Sequence, residues 1–145
     1  MKKLFYIFIL LFIVGWAQAQ QRVVYTINDG WKFTKGSPFE AQLTGCDDSS
    51  WETVNIPHTW NDKDADDETP GFYRGPVWYR KQLFIDKSQE GRRAMIYFEG
   101  ANQEVRFYLN GQFVGEHKGG YTRFCFDITS HLRYGQENLF TIYVN

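Results

Sequence analysis

The chain has 145 residues, 19% of them aromatic, and a formal net charge of −1. Charges this balanced, with no basic stripe, exclude nucleic acid as a natural partner. The two cysteines, Cys46 and Cys125, are too few to build a metal site by themselves, and no cofactor is expected.

The N-terminus reads as a targeting segment. Lys2 and Lys3 precede an uninterrupted apolar run over residues 4–14, and Ala17-Gln18-Ala19 offers the small residues of a cleavage site. Residues 1–19 are therefore expected to be a signal peptide, with Gln20 the first mature residue. The run is shorter than the ~20 apolar residues of a membrane span, so no stable membrane insertion is expected. The protein is expected to be exported, to a periplasm or the exterior. Export permits a disulfide, but two cysteines alone do not establish bridging distance. Cys125 lies inside an apolar strand pattern and is expected to be a buried free thiol.

Residues 20–145 have the length of one domain with a single core. Short strands between turn residues recur, which predicts an all-β sandwich. Residues 23–27 form a first β-branched run. Asn28-Asp29-Gly30 is a turn, and Trp31-Lys32-Phe33 restarts an alternating strand. Residues 37–50 read as loop, and residues 51–56 as a short strand ended by Pro57. Residues 61–75 form a long polar loop. Residues 78–85 form a strand, with Trp78, Arg80, Gln82 and Phe84 on one side and Tyr79, Lys81, Leu83 and Ile85 on the other. Residues 86–91 are a turn. Ala94, Ile96 and Phe98 share one face of the next strand, and Val105, Phe107 and Leu109 alternate with Arg106 and Tyr108.

Asn110-Gly111 follows, the preferred centre of a type I′ hairpin because both residues tolerate positive φ. Residues 112–116 return, Gly119-Gly120 reverses the chain, and residues 121–126 run out again. Asp127 or Thr129 caps a short helical turn over residues 130–133, ended by Gly135. Residues 139–144 are nearly all apolar or β-branched, so this last strand is expected to be central and buried on both faces.

Several segments, in order, carry a resemblance. They are Trp31-Lys32-Phe33; the run from Trp51 through Val54, Ile56-Pro57-His58-Thr59-Trp60 to Asn61; Tyr73-Arg74-Gly75 with Trp78-Tyr79-Arg80-Lys81; Phe98-Glu99-Gly100-Ala101; Leu109-Asn110-Gly111; Gly119-Gly120-Tyr121; Phe126-Asp127-Ile128-Thr129; and Gly135-Gln136-Glu137-Asn138. Together they resemble the sugar-binding domain that opens family 2 glycoside hydrolases, the β-galactosidase and β-glucuronidase group. The resemblance implies a jelly-roll β-sandwich for residues 20–145. It also implies the first, non-catalytic part of a larger enzyme, most similar to β-galactosidases. In the family two glutamates on a later (β/α)8 barrel perform retaining hydrolysis. No position here matches either, so no catalytic residue is assigned. The implied partners are a carbohydrate, a β-galactoside or related glycoside, and downstream sandwich and barrel domains.

Asp62, Asp64, Asp66, Asp67 and Glu68 form an acidic cluster. An EF-hand loop from Asp62 would need glycine where Asp67 stands and glutamate where Tyr73 stands, so the cluster reads as solvated surface. The resemblance implies that this loop approaches the sugar. Asn61 and Asp62 are then the candidate substrate-binding residues, since an amide and a carboxylate suit hydroxyls. His58 lacks partner ligands and reads as a structural hydrogen-bonding residue. Trp51 and Trp78 are expected in the core, and Tyr73 and Tyr121 against another domain. Arg74 and Arg80 are expected to pair with the acidic loop at the surface. Two other classes of function fit a sandwich: a free-standing carbohydrate-binding module and a ligand-free adhesion scaffold. A domain lacking its neighbours is expected to expose an apolar face and self-associate.

Overall fold

The structure, a computed structural model, describes residues 22–61 and 73–145. The expected signal segment, Asp62 and the rest of the acidic cluster lie outside the described residues. Among those described are eight strands and no α-helix: β1 (Trp31–Lys35), β2 (Glu52–Val54), β3 (Val77–Ile85), β4 (Met95–Phe98), β5 (Glu104–Leu109), β6 (Gln112–Lys118), β7 (Phe124–Asp127) and β8 (Gln136–Val144). They form an all-β sandwich. A six-stranded sheet in the order β2-β1-β3-β8-β5-β6 faces a two-stranded sheet of β4 and β7.

The register explains the core. Phe33 of β1 lies opposite Tyr79 of β3, Tyr79 opposite Ile142 of β8, and Ile142 opposite Phe107 of β5. One row of inward side chains thus crosses four strands, and all four residues are buried. Burying side chains of this size contributes about 1.5–3 kcal/mol each. The smaller sheet adds Ile96, Phe98, Phe124 and Phe126. The Phe126 ring stacks on Phe107 at 5.9 Å. A Cβ on Gly115 of β6 would lie 2.7 Å from the Phe126 ring, so glycine is what lets β7 close onto β6. As expected from its apolar run, β8 is central, between β3 and β5, and buried from Asn138 to Val144 apart from the half-buried Tyr143.

The outer face of the large sheet is covered by the loop between β1 and β2. Ala41 and Trp51 of that loop pack on Trp78. Arg80 is 2% exposed, and its position corrects the expectation of a surface pair with the acidic loop. Its guanidinium donates to the Cys46 carbonyl (3.0 Å), meets the Asp48 carboxylate (3.2 Å) and lies over the Trp51 ring. It ties the covering loop to β3.

At one end of β8 two asparagines lock the turns together. Asn110 and Gly111 take φ of 54° and 82°, as a type I′ hairpin requires. The Asn110 amide donates to the Asn138 side-chain oxygen (2.9 Å) and the His131 carbonyl (3.1 Å), and its own oxygen accepts from the Leu139 N–H (3.0 Å). Asn138 is fully buried. It accepts from the Arg133 N–H and donates to the carbonyls of Arg133 and Gln136.

Two further expectations change and a third, the capped helical turn, holds. Residues 23–27 form no strand and pair with none among the described residues, and Val23, Val24 and Tyr25 are exposed. A β-branched run needs a neighbouring edge to become a strand. The helical turn after β7 is a single turn: the Ile128 carbonyl accepts from the N–H groups of His131 and Leu132. Asp127 caps it, accepting from the N–H and hydroxyl of Thr129. Both thiols are free, but Cys125 is exposed rather than buried, because Phe124 and Phe126 take the inward positions of β7.

Candidate functional site

A cleft of about 410 Å³ opens between the two sheets. One lip is the segment from Ile56 to Asn61, which leaves β2 and crosses the inner faces of β1 and β3. The Ile56 N–H donates to the Asn28 carbonyl (2.8 Å), and the Ile56-Pro57 peptide is cis. The other lip is Phe98 and the Gly100–Ala101–Asn102 turn after β4. Trp31, Tyr79, Ile142 and Val144 form the floor.

His58 is held as expected of a structural residue. Its Nδ1 shares a 3.0 Å hydrogen bond with the Tyr79 hydroxyl, and its ring meets Phe33 edge-on at 4.5 Å. Burial pushes the Tyr79 phenol well above its ordinary range, so it stays a neutral hydrogen-bonding group. Trp31 turns its indole N–H to the Ile27 carbonyl (2.7 Å). The floor is thus apolar with its polar tips satisfied.

Asn61 is the exception. Its amide donates to the Tyr73 carbonyl at 3.2 Å, while its side-chain oxygen is buried without a partner. A buried acceptor left unpaired costs about 1–3 kcal/mol. Asn61 also lines the cleft. Asp62, its sequence neighbour, lies outside the described residues. Trp60 joins Asn61 at the lip, while Tyr73 turns its hydroxyl back to the Pro76 carbonyl (2.8 Å). Tyr121 is fully exposed and does not line the cleft. The sequence reading missed the second lip as part of a site. Its signal was the Phe98-Glu99-Gly100-Ala101 strand end, which marked the family without marking a wall. Among the described residues no group of three His, Cys, Asp or Glu is placed to hold a metal.

Comparison with known proteins gives a consistent family. The model of the glycosyl hydrolases family 2 sugar-binding domain matches residues 15–145. A β-glucuronidase of Formosa agariphila is 38% identical over 135 residues, covering 88% of this chain and 14% of that protein. A β-galactosidase of Thermoanaerobacter pseudethanolicus is 38% identical over 125 residues, covering 86% of this chain and 17% of that protein. The crystal structure of a Bacteroides uniformis β-glucuronidase superposes with a TM-score of 0.80 at 38% identity, over 86% of this chain and 15% of that one. The chain thus spans well under a fifth of the length of these relatives. It belongs to the sugar-binding domain of glycosyl hydrolase family 2.

Proposed function

We propose that the chain serves as the N-terminal, non-catalytic domain of an exported retaining glycoside hydrolase acting on β-galactosides or the related β-glucuronides. The observation that carries this reading is the family match across the whole sandwich, in a chain without the paired glutamates such hydrolysis requires. The domain braces the barrel and supplies one wall of the sugar pocket. Asn61 and Asp62 supply that wall's polar contacts, supported by the unpaired Asn61 oxygen at the cleft. Export is supported by the charged, apolar and small-residue order of residues 1–19.

The test is kinetic. The longer enzyme is assayed on aryl β-galactosides and β-glucuronides beside Asn61→Ala and Asp62→Ala. A rise in KM of about tenfold, or about 1.4 kcal/mol, is expected. Unchanged KM and kcat in both variants would remove the wall. The 145-residue chain should be silent on both substrates, and turnover by it would refute the non-catalytic reading. Glycan binding by the chain alone, seen as tryptophan quenching, would favour a free-standing binding module.

A further inference from the structure

β6 ends the large sheet and, among the described residues, pairs with β5 alone. It has seven residues, against three for β2 at the other end of the sheet and four each for β4 and β7. An open strand edge is a template for pairing with another chain. The phase of the β5–β6 ladder identifies the open groups. The Gly119 N–H donates to the Gln103 carbonyl (2.7 Å), so by alternation Gly115 and His117 turn their backbone groups to β5, while Glu116 and Lys118 turn theirs outward.

We propose that this edge pairs antiparallel with β6 of a second copy of the chain, about a two-fold axis at His117. The charges choose the partner. On the outer face of the sheet Arg106 of β5 lies opposite Glu116 of β6, and Glu104 opposite Lys118. One row therefore reaches the open edge on a negative charge and the next on a positive one. In a two-fold pair residue i meets j and j meets i. With the axis at His117, Glu116 meets Lys118 of the second copy, and Lys118 meets Glu116 of the second copy. Signs then alternate across four strands, from Arg106 through Glu116 to Lys118 and Glu104 of the second copy. Moving the axis to Glu116 or to Lys118 sets like charges face to face, which destabilises a strand pair. Charged residues ordinarily blunt an edge; here one register turns them into ion pairs. The flanks fit the same register. Gly115 meets Gly119 of the second copy, with no side chain between, and the ladder irregularity at Phe107/Tyr108 lies beyond the paired stretch. By the same count Tyr121 falls toward Phe113 of the second copy, and both are exposed. The ladder is short and buries less than the ~1,200 Å² of a standard interface, so a dissociation constant on the order of 100 µM is expected. The inference is independent of the glycosidase reading.

Sedimentation equilibrium of the 145-residue chain is expected to show monomer and dimer in exchange. Glu116→Lys and Lys118→Glu each set like charges across the axis and are expected to weaken the dimer about tenfold or more. Mixed in equal amounts, the two variants restore opposite pairs, and a mixed dimer is expected with about the affinity of the unsubstituted chain. A chain that stays monomeric at about 1 mM would overturn the proposal. So would single variants that associate as the parent does, the result that contact through the cleft would give, or a mixture no tighter than its parts. Amide hydrogen exchange reads the edge without substitution. The Glu116 and Lys118 amides are expected to slow as concentration rises, and rates independent of concentration overturn the pairing.

Discussion

The two ends of β8 solve the same problem in opposite ways. At its start, Asn138 is fully buried and its amide is saturated by the Arg133, Gln136 and Asn110 groups around it. At its far end, Val144 looks into an open cleft where the Asn61 oxygen has no partner. Most polar groups buried by folding are satisfied by the fold, because each orphan would cost about 1–3 kcal/mol; the Thr141 hydroxyl in mid-β8 is an exception. One end of the sandwich is closed by its own residues, and the other opens into a cleft.

Substitutions break or sharpen this contrast. Asn138→Ala should have the largest effect, about 3 kcal/mol of lost stability, because it orphans backbone groups of the closed end. Chemical denaturation of the short chain measures it, and a loss below 1 kcal/mol would mean that end is not locked as described. Arg80→Met should cost about 2 kcal/mol by the same measurement: it unties the covering loop, while the partly exposed Asp48 can rehydrate. Thr141→Val should gain about 1 kcal/mol, since the buried Thr141 hydroxyl has no partner and a methyl group needs none. Asn61→Ala should change stability by less than about 1 kcal/mol. A large loss there would make Asn61 a structural residue and erase the contrast.

Acid acts on the closed end too. Hydrogen bonds from the Thr129 side chain and backbone, then from Arg93, hold the Asp127 carboxyl down at about 2, against an ordinary 3.8. A depressed carboxylate stabilises the fold above its unfolded value, and the benefit is lost as pH falls through the folded value. Stability from Asp127 should therefore be complete above pH 3.8 and fade toward pH 2. Asp127→Asn should flatten that part of the pH profile; an unchanged acid transition would show the cap to be dispensable.

Much of the closed end was legible in the sequence. Asn110-Gly111 announces its turn because few residue pairs accept positive φ twice, and the apolar run of β8 announces a strand with neighbours on both sides. Cys125 was also readable by alternation, since Phe124 and Phe126 claim the inward positions, but its residue type suggested burial instead. Arg80 was not readable, because nothing local reveals that a loop from residues 37–50 folds back over β3. Residues 23–27 have strand composition without a partner edge, and composition does not supply one. The cleft was least legible. Its lips come from segments some forty residues apart, and only Asn61 carried a signal, through family resemblance rather than through any local pattern.

The hairpin at Asn110-Gly111 also sets how the protein ages. Asparagine before glycine is the dipeptide most prone to spontaneous deamidation, because an unhindered following nitrogen attacks the side-chain amide. Here that amide is engaged by His131, Asn138 and Leu139, which hold it away from the attacking geometry. Conversion to aspartate would replace the two donated hydrogen bonds by repulsion between oxygens. Folded protein should therefore keep its amide on storage while the denatured chain gains one mass unit in the Asn110 peptide, so that this residue records each chain's unfolding history.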